Sequence, residues 1–289
     1  MPEYSTEVTV FSPAKINLHL SVKDRRPDGF HNLESVFLAV NFGDTLYFQA
    51  GNDEFEADFF IPGNIILKAV TVFREKTGFS QGLKVRLKKR IPLGGGLGGG
   101  SSNAAAVLLA LNKIAGFPLN RESLLETASS LGSDVPFFIY ETAAARVKGR
   151  GEQIEPIDAP DLSLVLVNPG FPSDTARAFR LLDEYRNHEF LFANQPKGAH
   201  KPARTKERHD ITGSWLNFRN DFLEVFPQKE KSVYNEIISG LREQGAQFAN
   251  LSGTGSTCFG IFSGKEKARN AAEVLCKKWE FVQECSSLC

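Results

Sequence analysis

Cysteine is scarce in this sequence, and none occurs before position 258. The four cysteines, Cys258, Cys276, Cys285 and Cys289, form no Cys-x-x-Cys pair and have no histidine cluster beside them. A structural zinc site needs such clustered ligands, so the pattern argues against one. It favours reduced thiols, which are typical of the cytoplasm. We therefore expect a cytoplasmic protein.

The sequence also lacks an excess of charge of either sign and a long apolar run. Lys and Arg together number 34, as do Asp and Glu, so the formal net charge is zero. Nucleic-acid and anionic-membrane partners usually require a basic excess. No apolar stretch is long enough to span a bilayer, and residues 1–5 lack the basic start of a signal peptide. The sequence thus predicts neither a nucleic-acid partner nor a membrane.

The composition is that of a folded protein, with 42% hydrophobic and 24% charged residues in a chain of 289. Alternation over residues 15–22 predicts a strand whose polar face carries Lys15, Asn17 and His19, with Leu20 on the apolar face. Hydrophobic spacing predicts further strands at 35–40, 44–48, 83–87 and 137–140. It predicts helices at 104–114 and 120–131, and Ser101 or Ser102 is expected to cap the first of them.

The second half begins with a polar segment, residues 149–161, that contains Gly and Pro. Such a segment predicts a boundary between two domains, which we place at 1–155 and 156–289. Beyond it we expect a strand at 162–168, a helix at 176–185 and a long exposed loop or disordered insertion over 187–213. These are followed by a helix at 230–244, a strand–turn–strand unit at 248–261 and a helix at 265–278. The mixture predicts an α+β protein.

The strongest single signal is a glycine run, in which six of the seven residues from Gly94 to Gly100 are glycine. Glycine lets backbone N–H groups approach a ligand closely, and a helix start behind such a loop is a favourable site for phosphate. No Lys-Ser or Lys-Thr follows the run, so it is not a Walker A loop. A flexible linker is the alternative interpretation, and the capped helix behind the run favours the phosphate site.

Three ordered blocks carry a resemblance to a known family. They are Ser12-Pro13-Ala14-Lys15-Ile16-Asn17-Leu18, the segment from Pro92 to Ala105 around the glycine run, and Leu251-Ser252-Gly253-Thr254-Gly255-Ser256-Thr257-Cys258-Phe259. Together they resemble the GHMP kinases, named for galacto-, homoserine, mevalonate and phosphomevalonate kinases. The resemblance implies a two-domain fold, with an N-terminal nucleotide-binding domain, a ferredoxin-like C-terminal domain and the active site between them.

ATP and Mg²⁺ are the cofactors that this resemblance implies, with the magnesium ligands left open. The implied ATP-binding residues are Pro92, Gly94, Gly95, Gly96, Leu97, Gly98, Gly99, Gly100, Ser101 and Ser102, with Asn64 near the adenine. Ser101 and Ser102 have an alternative role as helix caps.

Asp134, in Gly132-Ser133-Asp134-Val135-Pro136, matches the family's catalytic aspartate. It is expected to orient or deprotonate the attacking hydroxyl, and Lys15 is expected beside it to neutralise phosphoryl charge. Asn17, on the same strand face, is expected to contact the substrate near the reacting hydroxyl. The alternatives are an ordinary aspartate at a helix end and a solvated strand lysine.

The segment from Arg26 to His31 resembles the branch of the family whose acceptor is an isoprenoid-precursor alcohol bearing cytidine diphosphate. In that branch Phe30 and His31 would hold the cytosine, with Phe30 at a position where relatives commonly carry Tyr. Further implied substrate residues are Thr175, Phe179, Gly253, Thr254 and Gly255. The alternatives are a turn histidine, core packing of Phe179 and a plain hairpin turn at 253–255.

Two competing functions stay open at this point. One is a different GHMP kinase, such as a mevalonate or homoserine kinase, which would not need Phe30 and His31. The other is a nucleotide-binding regulatory relative without catalysis, against which the presence of both Lys15 and Asp134 argues. The sequence does not specify the oligomeric state.

Overall fold

The structure, a computed structural model, describes residues 7–59, 61, 63–193 and 218–288. It contains two sheets, each with helices packed against it, and so has the expected α+β architecture in two parts. Among the described residues, no helix is both long and apolar enough to cross a membrane.

The first sheet is built on two long antiparallel strands, β1 (Val8–Arg25) and β2 (His31–Ala50). Strand order is β3-β4-β2-β5-β6, with β1 also paired to β2. The remaining elements of this half are β3 (Glu54–Ala57), α1 (Ile65–Thr77), β4 (Leu83–Lys88), α2 (Gly99–Ile114), α3 (Arg121–Leu131), α4 (Val135–Ile139), β5 (Ala144–Gly149) and β6 (Gln153–Ile157). The alanine-rich α2 is buried along most of its length, so it is the central helix of this core.

The second sheet has the order β10-β7-β9-β8, and every neighbouring pair is antiparallel. Its elements are β7 (Ser163–Asn168), α5 (Thr175–Ala193), a 3₁₀ turn (Asp221–Glu224), α6 (Gln228–Glu243), β8 (Phe248–Leu251), β9 (Cys258–Phe262), α7 (Lys265–Leu275) and β10 (Phe281–Ser286). Apart from the additional α6, this is the βαββαβ succession of ferredoxin-like folds, as the resemblance implied.

Alternation along β1 was predicted wrongly beyond Asn17. The register with β2 shifts between Asn17 and His19, which marks a bulge. An extra residue at a bulge inverts the faces that follow it, so Leu20 rather than His19 lines the cavity described below. His19 instead packs its ring against Phe218.

Three other local predictions were wrong. The strand predicted at 137–140 is the short helix α4. The strands predicted at 35–40 and 44–48 were confirmed as strand, but they form one continuous strand, β2, and their separation was wrong. Helix α2 begins at Gly99, with Gly98 as its N-cap and no side-chain cap, so neither Ser101 nor Ser102 caps it. Both serines lie inside the first turn.

The segments predicted as a boundary and as a loop are partly regular structure. β6 lies within residues 149–161 and pairs with β5, so it belongs to the first sheet. The chain enters the second sheet at Ser163, and the division into domains at 155 and 156 stays a prediction. α5 continues to Ala193, which contradicts the loop predicted from 187, and residues 194–213 of that loop lie outside the described residues.

Candidate active site

A cavity of about 870 Å³ lies between the two sheets. Its wall includes residues from β1, the glycine run, the segment before α4, the start of α5 and the turn between β8 and β9. This volume is in the range of small-molecule sites.

In the glycine run, the carbonyl groups are hydrogen-bonded to the protein and the N–H groups are not. The carbonyls of residues 94–98 accept hydrogen bonds, in order, from Ser173 N, Thr257 N, Ser252 Oγ, Lys15 N and Ser102 N. None of the N–H groups of residues 94–101 donates to another described residue. A row of unpaired donors at the start of α2 is an anion-binding arrangement, so this wall suits phosphate groups.

Two glycines of the run could not be replaced by larger residues without strain. Gly96 has φ +74°, and a Cβ there would lie 2.2 Å from Ser252 O. Gly98 has φ +68°, and a Cβ there would lie 2.9 Å from Lys15 Cγ. Glycine is therefore required both by backbone conformation and by close approach to the neighbouring segments.

Lys15 and Asp134 meet in this cavity. Lys15 Nζ lies 3.2 Å from Asp134 Oδ2, and the two side chains are 4% and 31% exposed. Asp134 occupies the N-cap position of α4, yet its carboxylate makes no capping hydrogen bond. The carboxylate is thus turned to Lys15 and to the cavity, which the ordinary helix-end alternative does not explain.

Further contacts hold Lys15 in place. Its ammonium donates to Asn17 Oδ1 at 2.7 Å and lies 4.3 Å from the centre of the Phe37 ring. Asn17 Nδ2 donates in turn to Ser35 Oγ at 2.9 Å. Because Asn17 is fixed at both ends of its amide, it positions Lys15 from within β1.

The opposite end of the cavity is aromatic. Phe30 is 52% exposed, with the Arg150 guanidinium 4.8 Å from its ring centre. The rings of His31 and Phe179 are stacked, with centroids 5.3 Å apart and an interplanar angle of 20°. Phe179 also packs edge-on against Phe222 in the core. Core packing is therefore confirmed for Phe179, and its stacking on a cytosine stays a prediction.

The turn between β8 and β9 closes one side of the cavity through Gly253 and Thr254. Thr254 Oγ1 and Thr175 Oγ1 are 3.2 Å apart, and Ser173 Oγ donates to Thr254 O at 2.6 Å. The predicted residues Thr175, Gly253 and Thr254 therefore lie together, and hydrogen bonds of Thr254 connect the turn to the start of α5.

Three predicted site residues do not line the cavity. Ser102 is buried and accepts a hydrogen bond from Ser12 Oγ at 2.7 Å. Asn64 caps α1 by accepting from Ile66 N at 3.0 Å. Gly255 packs beside the hydroxyl of Tyr234. Their contact with a ligand stays a prediction, and each has a structural role in this geometry.

Sequence reasoning missed a buried ion pair beside the glycine run. Lys89 lines the cavity, and its Nζ pairs with Asp44. Asp44 is a fully buried carboxylate that also accepts hydrogen bonds from Arg90 N, Ile91 N and Asn103 Nδ2. Burial lowers the pKa of Lys89, and the charge of Asp44 opposes that shift. No local motif marks Asp44, because its partners come from distant parts of the chain.

Asp183 was also missed, although helical spacing offered a signal. Its Oδ1 lies 2.7 Å from His31 Nε2. Asp183 follows Phe179 by four residues on α5, and residues at that spacing share a helix face. The position of Phe179 therefore pointed to it.

A dedicated metal cage is not part of this site. Within the described ranges, no group of three or more His, Cys, Asp or Glu side chains is placed to hold a metal ion. Mg²⁺ commonly binds through one or two protein oxygens together with substrate phosphates and water. Asp134 and Ser101 are oxygen-bearing residues on the wall that also carries the phosphate-binding donors, so the cavity fits a magnesium ion that enters with a nucleotide.

Comparison with known proteins agrees with this fold. The family models for the GHMP kinases N terminal domain and the GHMP kinases C terminal match residues 64–142 and 207–280. The chain belongs to the GHMP kinase family.

Within that family it is similar to 4-diphosphocytidyl-2-C-methyl-D-erythritol kinases. The protein of that name from Thermodesulfovibrio yellowstonii is 35% identical over 92% of this chain and 93% of its own length. The one from Syntrophus aciditrophicus is 35% identical over 96% and 97%. A crystal structure of 4-(cytidine 5'-diphospho)-2C-methyl-D-erythritol kinase superimposes with a TM-score of 0.78 at 30% identity, covering 96% of this chain and 98% of that one.

Proposed function

We propose that this protein transfers the γ-phosphate of ATP to the 2-hydroxyl of 4-diphosphocytidyl-2-C-methyl-D-erythritol, giving the 2-phosphate and ADP. The reaction belongs to the methylerythritol phosphate route to isoprenoid precursors. The names of the relatives support the acceptor. The family supports ATP as the phosphate donor.

The observation that carries the proposal is the position of the Lys15–Asp134 pair. The pair, 3.2 Å apart, lies in one cavity with the donor-rich glycine run and the aromatic residues Phe30, His31 and Phe179. Phosphoryl transfer needs a phosphate site, a group that orients the attacking hydroxyl and compensation of the transferring charge. The cavity offers all three next to surfaces on which a base can stack.

Each residue has a distinct role in the proposed reaction. The N–H groups of residues 94–101 bind the ATP phosphates, and Mg²⁺ neutralises part of their charge when it enters with the nucleotide. Asp134 accepts a hydrogen bond or the proton from the acceptor hydroxyl, which aligns its oxygen with the γ-phosphate. Lys15 compensates the charge that develops on the transferring group. Asn17 fixes the Lys15 ammonium.

The cytidine end explains the choice of acceptor. Phe30 and Phe179 both line the cavity, and their rings make no contact with each other within the described part of the chain. A base between them would stack on both, and Phe at position 30 retains the stacking surface of the more common Tyr. Mevalonate and homoserine carry no base, so kinases acting on them would have no use for this pair.

Release of ADP by purified protein with ATP and Mg²⁺ tests the proposal. The acceptors 4-diphosphocytidyl-2-C-methyl-D-erythritol, mevalonate, phosphomevalonate and homoserine are supplied separately. We expect turnover on the cytidyl acceptor alone. Turnover on another acceptor would keep the kinase and reject the cytidine site, whereas ATP binding without turnover on any acceptor would favour a regulatory relative. The cytoplasmic location expected from the sequence stays a prediction.

A further inference from the structure

Only one of the two ring nitrogens of His31, Nε2, contacts a carboxylate among the described residues. Its Nε2 lies 2.7 Å from Asp183 Oδ1, and the imidazole is 5% exposed. An ionised carboxylate only accepts hydrogen bonds, so a neutral imidazole in this contact carries its proton on Nε2. Nδ1 is then an acceptor, and it has no hydrogen-bond partner among the residues that the structure describes.

The same helix fixes the plane of the ring. Phe179 and Asp183 lie four residues apart on α5, and Phe179 stacks on the imidazole while Asp183 bonds to it. The other Asp183 oxygen is 3.9 Å from Arg25 Nη1, so the carboxylate is held between His31 and an arginine. The imidazole therefore has a fixed orientation as well as a fixed proton, and it lines the cavity.

We propose that Asp183 is a positioning residue that determines base specificity, because it keeps Nδ1 of His31 an acceptor that selects cytosine over uracil. The proposal rests on the proposed function, since it concerns the base of that acceptor. Cytosine bears an amino group at carbon 4, a donor that matches a bare Nδ1, whereas uracil bears a carbonyl that faces it acceptor to acceptor. Sites built to pair with a donor reject analogues that lack it.

Equilibrium binding of CDP and UDP to the full-length protein tests this without requiring turnover. The test variant is Asp183→Asn, whose amide has the size of the carboxylate but can either accept from Nε2 or donate to it. The matched control is Glu184→Gln, which removes the same charge from the next, exposed residue of α5.

We expect wild-type protein and Glu184→Gln to bind CDP more tightly than UDP. In Asp183→Asn the ratio of CDP affinity to UDP affinity should fall by at least about tenfold. In turnover assays the Asp183→Asn variant should show a raised KM for the cytidyl acceptor with kcat changed much less, because the phosphoryl-transfer residues are untouched. An unchanged ratio of CDP to UDP affinity in Asp183→Asn, or no preference in the wild type, would overturn the proposal.

Imidazole ¹⁵N resonances of the wild-type protein give a second readout if Asp183→Asn does not fold. His31 is assigned by its loss in His31→Gln. An unprotonated Nδ1 and a protonated Nε2 are expected, and the reverse tautomer contradicts the proposal. Failure of turnover on the cytidyl acceptor would reject the proposed function alone, because both the binding ratio and the tautomer are measured without catalysis.

Discussion

Asp134 has an ordinary position in the chain but unusual side-chain contacts. It stands at the start of α4, where an aspartate usually caps the helix through its side chain. Here the side chain makes no such bond and faces Lys15 instead. Releasing the carboxylate from capping makes it available to a substrate hydroxyl.

Replacement of Asp134 by Asn should lower kcat by at least about 10²-fold, because the amide keeps the shape of the carboxylate but cannot accept the proton. Affinity for ATP, measured by calorimetry, should be nearly unchanged because the glycine run is intact. Asp161→Asn, an exposed aspartate outside the cavity wall, is the control. Near-normal turnover of Asp134→Asn would remove Asp134 from the reaction.

Phe30→Ala should mainly raise the KM for the cytidyl acceptor, by an amount corresponding to about 1–3 kcal/mol of lost stacking. The exposed Phe117, 68% accessible and absent from the cavity wall, provides a matched Phe→Ala control that should behave as wild type. If the KM does not move in steady-state kinetics, the cytosine is held by other residues.

Some residues of the site were predictable from sequence and others were not. Lys15, Asp134 and the glycine run stand in contiguous motifs, so a single sequence is enough to nominate them. The bonds that connect Asp44 to Lys89 and His31 to Asp183 span 45 and 152 positions. Such pairings depend on the tertiary fold, which hydrophobic periodicity does not encode.

At the scale of elements, the glycine run is suited to bind an anion because its carbonyl groups are already hydrogen-bonded to the protein. Each carbonyl of residues 94–98 accepts a bond from the protein, from Ser102 in the run's own helix or from more distant segments. This arrangement leaves the N–H groups on the cavity side. Glycine at positions 96 and 98 permits both the positive φ and the close packing.

Gly96→Ala should weaken binding of a non-hydrolysable ATP analogue by at least about tenfold, because a methyl group would collide with the backbone at Ser252 and strain a positive φ. Gly51→Ala is the control, since a Cβ there meets nothing within 4 Å. Thermal unfolding of both variants reports the strain separately from the affinity. Unchanged affinity in Gly96→Ala would contradict the phosphate role of this loop.

Elements with a clear period were predicted well, and short apolar ones were not. The helices predicted at 120–131 and 230–244 were confirmed to within two residues at each end. Residues 137–140 are apolar in either conformation, and only packing beneath α2 makes them helical. The bulge in β1 leaves no sequence signature, so the alternation pattern placed His19 and Leu20 on the wrong faces of the strand.

At the scale of the whole molecule, residues of the C-terminal part hold the glycine run of the N-terminal part in place. Ser252 Oγ donates to Gly96 O at 2.9 Å and accepts from Asn17 N at 3.2 Å. Ser173 N and Thr257 N bind the two preceding carbonyls of the run. The cavity therefore depends on both sheets for its shape.

Ser252→Ala should lower the free energy of unfolding by about 1–3 kcal/mol, because the buried Asn17 N–H and the partly buried Gly96 carbonyl lose their partner. It should also raise the KM for ATP, since the Gly96 carbonyl is no longer held. Ser129→Ala, which removes an exposed hydroxyl bonded within its own helix, is the control. Chemical denaturation and steady-state kinetics measure the two effects. Wild-type values for both would show that this junction does not shape the loop.

The order of the three motif blocks predicted this two-part architecture, and the ferredoxin-like succession of the second part was confirmed. The strand β6 was not predictable, because it lies in the polar segment that we interpreted as a boundary and forms the edge of the first sheet. Edge strands are half-exposed, so their composition resembles that of a linker.

Identification of the product tests the central claim most directly. The protein is incubated with ATP, Mg²⁺ and 4-diphosphocytidyl-2-C-methyl-D-erythritol, and the acceptor is examined by ³¹P NMR and mass spectrometry. We predict one added phosphate, as a monoester on the 2-hydroxyl, in step with ADP formation, and no such product with Asp134→Asn. ADP formation without a phosphorylated acceptor, or a phosphate at another position, would contradict the account.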